Sequence, residues 1–211
     1  MSPGQAERRR GLFVTFEGGE GSGKTTQAEL LTKRLEALGR RVVRLREPGG
    51  TQLGEDLRKL LLHRSTRMSA EAELLLFLAA RAELVRRVIR PALAEGTVVL
   101  CDRFSDSTLA YQGFGRGLDL DLIRRLDAFA TDDLAPDLTV LLDLPVADGR
   151  RRAPPDEDAI QQEDDAFHDR VRQGYLALAK AEPERWLVLD AMLPPHELAQ
   201  VIAARVDGLL A

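Results

Sequence analysis

Residues 18–25 read G-G-E-G-S-G-K-T, a glycine-rich segment followed directly by a lysine and a threonine. Glycines let backbone N–H groups approach a phosphate that a Cβ would obstruct. A lysine at this position reaches the outer phosphates of a nucleotide, and the next hydroxyl can bind Mg²⁺. The pattern G-x-x-x-x-G-K-[ST] therefore predicts a nucleoside triphosphate site. Its predicted contacts are Gly18, Gly19, Glu20, Gly21, Ser22, Gly23, Lys24, Thr25 and Thr26.

The flanking segments support this motif. Residues 12–16 form a short apolar run typical of a strand, and residues 24–38 carry apolar side chains at helical spacing. A helix that begins at the loop directs its partial positive charge at the phosphates. The alternative is a glycine-rich turn that only joins a strand to a helix, and the match at every fixed position disfavours it.

Apolar runs alternate with helix-period segments along the whole chain. The predicted strands are residues 12–16, 41–45, 97–101, 138–142 and 186–189. The predicted helices are residues 24–38, 53–62, 69–95 with a bend at Pro91, 105–111, 119–131, 158–181 and 195–209. This alternation predicts an α/β fold with a doubly wound, five-stranded parallel sheet flanked by helices. We expect one domain over residues 11–211 after a disordered tail, residues 1–10.

Composition excludes several classes of protein. The net charge is −4, which argues against nucleic acid or an anionic membrane surface as the main partner. A single cysteine, Cys101, cannot form an internal disulfide and is typical of a reduced cytoplasm. The chain contains no run of about 18 apolar residues that could span a membrane. We therefore expect a cytoplasmic protein.

Asp102 and Arg103 follow the third predicted strand, at the sheet edge where open α/β folds bind ligands. The Asp102 carboxylate could hold Mg²⁺ together with Thr25, and the Arg103 guanidinium could fork onto a second phosphate. A surface salt bridge is the alternative for an isolated Asp-Arg pair.

Residues 147–158 read A-D-G-R-R-R-A-P-P-D-E-D and lack apolar periodicity. They predict a mobile loop. Three adjacent arginines indicate a lid, residues 147–160, that closes on the nucleotide; a solvated charged loop is the alternative.

Residues 102–113, D-R-F-S-D-S-T-L-A-Y-Q-G, resemble the D-R-[YFH]-x-x-S-[ST]-x-A-Y-Q-G signature of bacterial-type thymidylate kinases, which are P-loop nucleoside monophosphate kinases. Residues 46–51, 77–81 and 167–179 match the same family in order. The resemblance implies a homodimeric enzyme that phosphorylates dTMP to dTDP with MgATP, in dTTP synthesis. A kinase of another nucleotide or a deoxynucleoside is the alternative on this fold. A regulatory GTPase is disfavoured because the chain has no asparagine for an N-K-x-D guanine reader.

The resemblance also implies roles for single residues in the dTMP site. Phe77 stacks on thymine and Arg81 binds its O4 edge, although without the resemblance Phe77 would be read as a helix core residue. Arg58 and Arg103 hold the dTMP phosphate. The remaining implied contacts are Ser107, Thr108 and Gln112 at the pyrimidine edge, Tyr111 at the sugar, Glu47 near the 3′-OH, and Pro48 in a turn for which a cis bond is one alternative.

The sequence departs from the family in the lid. Residues 158–161 read D-A-I-Q where bacterial members usually have D-R-I-E, so an arginine and an acid are missing. We therefore expect the catalytic positive charge to come from Arg150, Arg151 or Arg152, or from Arg103 alone, in addition to Lys24.

Overall fold

The computed structural model describes residues 11–62, 68–152 and 159–211. Five strands form one sheet in the order β2-β3-β1-β4-β5, and every neighbouring pair is parallel. They are β1 Phe13–Glu17, β2 Val42–Arg46, β3 Val98–Asp102, β4 Leu138–Asp143 and β5 Trp186–Asp190. The predicted α/β class and all five predicted strands are confirmed, with ends shifted by about one residue.

Burial explains why the strands take this order. The central strands β1, β3 and β4 are buried along almost their whole length, whereas β2 and β5 at the edges are partly exposed. Alternate residues of β1 pack on opposite sides: Val14 and Phe16 join Leu35, whereas Phe13 joins Leu84. The two-sided core is typical of a parallel sheet with helices on both faces.

The helices follow the strands in chain order. They are α1 Lys24–Ala37, α2 Gln52–Leu62, α3 Ala70–Leu84, α4 Arg90–Ala94, α5 Ser105–Thr108, α6 Leu120–Thr131, α7 Val146–Arg152, α8 Asp165–Ala181 and α9 Pro195–Leu210. Two π-helical turns, Val85–Ile89 and Leu109–Gly115, join α3 to α4 and follow α5. None of the helices in the described residues is long and apolar enough to cross a membrane.

Three predicted helices differ from the structure. The segment predicted as one helix, 105–111, consists of α5 and the first part of the π-helical turn Leu109–Gly115. The segment predicted as one helix, 69–95, contains the π-helical turn Val85–Ile89, and Pro91 lies at the start of α4, where a missing N–H is tolerated. Helix α8 begins at Asp165, later than predicted, because the Asp164 side chain accepts a hydrogen bond from the Phe167 N–H at 2.7 Å and caps it.

The prediction of an irregular loop was wrong for residues 147–152, which lie in α7. The Pro145 carbonyl accepts hydrogen bonds from the N–H groups of Asp148 and Gly149, each at 3.0 Å, and starts the helix. A Cβ at Gly149 would lie 2.7 Å from the Glu20 carbonyl oxygen, so this buried position of α7 needs a glycine. Because the buried residue is a glycine, the sequence of α7 shows no apolar periodicity. Residues 153–158, and the tail predicted over residues 1–10, lie outside the described residues.

Candidate active site

A cleft of about 500 Å³ opens at the carboxyl edge of the sheet, between the phosphate-binding loop, β2, β3 and α3. Every predicted dTMP contact lines it: Glu47, Pro48, Arg58, Phe77, Arg81, Arg103, Ser107, Thr108, Tyr111 and Gln112. The predicted triphosphate contacts Glu20, Gly21, Gly23, Lys24, Thr25 and Thr26 line the same cleft. Gly18 and Gly19 line an adjoining cavity of about 330 Å³, and Ser22 is buried in the loop.

The phosphate-binding loop has the backbone that its glycines permit. Gly21 and Gly23 have φ values of 67° and 92°, which side chains with a Cβ rarely adopt. The Lys24 ammonium donates to the carbonyls of Gly18 and Gly19 at 3.1 and 2.8 Å and is thereby held over the loop. Burial, and then the nearby Arg103, lower the pKa of Lys24. A bound phosphate would offset both effects.

Thr25 and Asp102 meet where α1 and β3 converge. The Thr25 hydroxyl donates to Asp102 Oδ2 at 3.0 Å, so two hard oxygen ligands lie side by side next to Lys24. Within the described residues, no cluster of three or more His, Cys, Asp or Glu side chains could hold a metal ion. A site with few protein oxygens fits Mg²⁺, which usually keeps its waters and is shared with substrate phosphates.

Arg103 has a strained backbone, with φ of 70°, directly after β3. Its N–H donates to the Phe16 carbonyl at 3.0 Å, and its guanidinium donates to Glu20 Oε1 at 2.6 Å and to the Tyr175 hydroxyl at 3.3 Å. The same guanidinium lies 4.9 Å from the centre of the Tyr111 ring. Burial by itself raises the pKa of Glu20, but Arg103 and then Lys24 lower it to about 2.

Glu17, at the end of β1, is linked to Arg103 through the Tyr175 hydroxyl, which both residues bind. Its two carboxylate oxygens accept from the Phe104 N–H at 2.8 Å, the Ser107 hydroxyl at 2.5 Å and the Tyr175 hydroxyl at 2.9 Å. Burial, with a smaller contribution from Asp106, raises the pKa of Glu17 to about 7. The carboxyl group thus ties β1, the segment after β3 and α8 together behind the cleft.

The side of the cleft that is predicted to recognise the base, here called the base-recognition side, is formed by α3. Phe77 is only partly buried, as expected for a ring that faces the cleft rather than the core. Arg81 is 1% exposed; its Nε donates to Glu47 Oε2 and its Nη1 to Asp127 Oδ1, both at 2.7 Å. Arg81 therefore also holds two carboxylates in place, a structural role that the sequence did not predict.

Glu47 follows β2 and binds Arg81 of α3, so it joins two sides of the cleft. Burial raises the pKa of Glu47 to about 7, while Arg81 opposes this shift. Its Oε1 is buried and has no hydrogen-bond partner within the described residues. The Glu47–Pro48 bond is cis, and the Pro48 carbonyl accepts from Arg58 Nη1 at 3.0 Å.

The three arginines of α7 have different surroundings. Arg152 lines the cleft, with its Nη1 bound to the Ala191 carbonyl at 2.9 Å. Arg150 lines the adjoining cavity and pairs with Asp165 at 2.5 Å. Arg151 pairs with Asp148 within its own helix, and its side chain is 75% exposed. The structure thus brings one of the three to the cleft.

Several site residues were missed in the sequence. Glu17 carries a local signal, an acid that ends a buried strand directly before the glycine loop. Glu73 carries another, a charge four residues before Phe77 on an apolar helix. Asp127 and Tyr175 carry none, because their partners are distant in sequence: Asp127 binds Arg81 and Tyr175 binds Glu17.

The fold has a parallel sheet with a phosphate-binding loop between β1 and α1. Several arginines line the same cleft as this loop. Together these features define the class of P-loop nucleoside monophosphate kinases. A family model described as thymidylate kinase matches residues 16–202. The chain belongs to the thymidylate kinase family.

Individual relatives agree with this assignment. A thymidylate kinase of Deinococcus radiodurans is 53% identical, over 94% of this chain and 97% of that protein. One of Thermomicrobium roseum is 54% identical, over 94% and 95% respectively. The crystal structure of thymidylate kinase from Ehrlichia chaffeensis superposes with a TM-score of 0.77 at 36% identity, covering 93% of this chain and 98% of that one. The predicted enzyme class is confirmed, and a kinase of another acceptor is not favoured.

Proposed function

We propose that this chain transfers the γ-phosphoryl group of MgATP to the 5′-phosphate of dTMP, giving ADP and dTDP for dTTP synthesis. The observation that carries this proposal is the single cleft shared by Lys24, Thr25 and all ten predicted dTMP contacts. A donor site and an acceptor site in one cavity are what a direct transfer between two nucleotides requires.

The chemistry needs little from a general base, because the attacking group is already an anionic phosphate oxygen. Catalysis then depends on orientation and on neutralising charge at the transferring group. Lys24 binds the donor phosphates, and Arg103 and Arg58 bind the acceptor phosphate. Arg103 forms an ion pair with Glu20, with 2.6 Å between Nη2 and Oε1. A phosphate must therefore compete with the Glu20 carboxylate for the guanidinium.

Thr25 and Asp102 are the residues that would hold Mg²⁺. When bound, the ion neutralises charge on the donor phosphates. The hydroxyl and carboxylate supply hard oxygens of the kind that Mg²⁺ prefers.

The acceptor nucleoside is recognised from three directions. The Phe77 ring offers a flat apolar face to thymine, and Arg81 a donor to O4. Glu47 Oε1, for which the described part of the chain offers no donor, is suited to accept from the sugar 3′-OH, since a buried acceptor without a donor is costly. Tyr111, which is 6% exposed, packs where a ribose 2′-OH would lie.

Among the α7 arginines, Arg152 is the best candidate for a catalytic role, because it lines the cleft with Lys24. Arg150 and Arg151 are engaged by Asp165 and Asp148. Closure of the lid would exclude water, which could otherwise accept the phosphoryl group.

We further propose a cytoplasmic homodimer that forms through α2, α3 and α6. These helices carry large apolar side chains that a single chain leaves exposed, above all Phe129, which is 89% exposed. The exposed set on these helices is Leu53, Leu60, Leu75, Leu122 and Phe129. A second copy that covers these side chains would remove their contact with water.

The donor assignment is tested by following the label from γ-³²P-ATP into dTDP. We expect Lys24→Ala to lower turnover by about 10²-fold or more, since a charge that stabilises the transferring group is lost. Lys33→Ala, at an exposed position of the same helix, is the matched control and should keep wild-type turnover. Equal turnover of the two variants, both folded by circular dichroism, would reject the donor site.

A further inference from the structure

Gln112 is held by a buried carboxylate behind the cleft. Gln112 and Glu73 are each 1% exposed, and Gln112 Nε2 donates to Glu73 Oε1 at 3.0 Å. A carboxylate engaged in an ion pair can only accept hydrogen bonds, whereas an amide has one donating and one accepting end. The contact therefore fixes which end of the Gln112 amide faces Glu73, namely the NH₂ group.

Glu73 is itself held in a fixed orientation. Arg116 forks onto it, with Nε and Nη2 each 3.1 Å from a different carboxylate oxygen. The third donor of this guanidinium, Nη1, binds Glu163 Oε1 at 2.5 Å, and the group lies 4.7 Å from the centre of the Phe167 ring. A two-point contact orients the plane of the carboxylate as well as its position. Arg116 therefore orients Glu73, and Glu73 in turn orients the Gln112 amide.

The contacts from Arg116 through Glu73 to Gln112 lie next to the base-recognition side of the cleft. Glu73 lies four residues before Phe77 and eight before Arg81, so the three share one face of α3. Gln112 lines the cleft together with Phe77 and Arg81, and Glu73 lies behind it. Because the NH₂ group is engaged by Glu73 and Gln112 lines the cleft, the oxygen is the end of the amide left to face the cleft.

We infer that Glu73 is a positioning residue for base specificity: it holds Gln112 so that the amide oxygen, rather than the NH₂ group, is turned towards the acceptor base. The inference rests on the proposed dTMP site. Thymine and uracil carry a donor at N3, which matches that oxygen. Cytosine carries an acceptor at N3, which would face another acceptor. A glutamine that was free to turn its amide around could accommodate both bases, so the selectivity lies in Glu73 rather than in Gln112 alone.

The test compares kcat/KM for dUMP and dCMP in the wild type and in Glu73→Gln. Both nucleotides lack the methyl group and share sugar and phosphate, so their ratio reports on the pyrimidine edge. The amide introduced at position 73 can donate to Gln112 and let its amide turn. We expect the dUMP:dCMP ratio to fall by about fivefold or more, the scale of one mismatched buried hydrogen bond.

Glu163→Gln is the matched control. It removes a carboxylate from the same guanidinium, but Glu163 makes no hydrogen bond to Gln112. We expect its dUMP:dCMP ratio to stay within about twofold of the wild-type ratio, well under a tenfold effect. Should Glu73→Gln not fold, the double variant Glu73→Gln/Arg116→Gln removes both charges of the pair and carries the same expectation.

A double-mutant cycle distinguishes positioning from general damage. If Glu73 acts through Gln112, Glu73→Gln should leave the ratio unchanged in the Gln112→Leu background. A fall in kcat/KM that is equal for both nucleotides, or the same change of ratio without Gln112, would overturn the inference. Failure of the proposed function would look different, because the wild type itself would then not phosphorylate dTMP.

Discussion

Two buried carboxyl groups lie at the cleft, Glu47 in its lining and Glu17 behind it, and the pKa of each is raised to about 7. Burial is the main cause in both cases, but their partners differ: Glu17 accepts from neutral hydroxyls and an amide, whereas Glu47 is paired with Arg81. Glu17 forms no ion pair within the described residues, although the nearby Arg103 partly opposes the rise of its pKa, so it is the clearer case for a titration that affects folding.

We predict that Glu17→Gln changes the pH dependence of stability. Because the folded-state pKa of Glu17 is above its ordinary value of 4.5, the native state binds the proton more tightly than the unfolded state between these two pKa values. Wild-type stability from this group is therefore present at low pH and lost as pH rises towards about 7. Relative to Glu17→Gln, the wild type should lose roughly 2 to 3 kcal/mol between about pH 5 and pH 8.

Urea unfolding at several pH values measures this difference directly. Glu47 remains in both proteins, so its own titration cancels, and a constant offset from lost hydrogen bonds does not affect the slope. Parallel stability curves for the wild type and Glu17→Gln would show that Glu17 does not titrate in this range.

The sequence could supply the candidate ligand contacts but not the residues that hold them in place. Lys24, Thr25 and Asp102 follow from spacing and from position at the end of a strand. The contacts of Arg81 with Asp127 and of Tyr175 with Glu17 depend on packing between elements far apart in the chain. Arg81 was accordingly predicted as a base reader only, although it also pairs with two carboxylates.

Among the elements, helix α7 alters the lid hypothesis most. Its arginines were treated as equivalent while they were assigned to a loop, but a helix points consecutive side chains in different directions. Arg152 reaches the cleft, and the Arg151 side chain is 75% exposed. The buried residue of this short helix is a glycine, so its sequence has no apolar periodicity and does not predict a helix.

We predict that Arg152→Ala lowers kcat by about tenfold or more, roughly 1.4 kcal/mol, with a smaller change in the KM for dTMP. A group that reaches the phosphates mainly in the transition state affects kcat more than binding. Arg151→Ala is the matched control and should stay within about twofold of wild type, because its side chain is solvated. Both parameters should be measured at saturating MgATP.

A wild-type kcat in Arg152→Ala would show that α7 is only a charged surface helix without a part in catalysis. Arg103 would then be the principal arginine at the reacting phosphates. Whether the lid as a whole moves stays a prediction, since residues 153–158 lie outside the described residues.

The fold class could be anticipated because five apolar runs alternate with helices along the whole chain. The strand order was not predicted, since right-handed crossovers between parallel strands leave more than one order open. A homodimer was expected only from the family resemblance, and the surface proposed for it could not be located from the sequence, because exposure of an apolar side chain is a property of the packed chain. Phe129 looks like an ordinary core position in an amphipathic helix, yet it is 89% exposed.

We predict that Phe129→Asp shifts the protein from dimer to monomer, because a charge at the centre of an apolar contact is left without a partner. Sedimentation equilibrium of the wild type and the variant measures the change. Lys180→Asp, on an exposed site of α8, is a control for the introduced charge and should leave the oligomeric state unchanged. A wild type that is monomeric at micromolar concentration would contradict the dimer proposal.

We propose that one cleft selects dTMP as phosphoryl acceptor. Coupled ADP release at saturating MgATP measures kcat/KM for a panel of monophosphates: dTMP, dUMP, dCMP, dAMP and dGMP. We expect dTMP to be the best substrate and to exceed dCMP by about tenfold or more, since cytosine leaves the Arg81 donor and the Gln112 oxygen unmatched, each worth roughly 1 to 3 kcal/mol. Equal use of dCMP, or faster turnover of a purine nucleotide, would contradict the account.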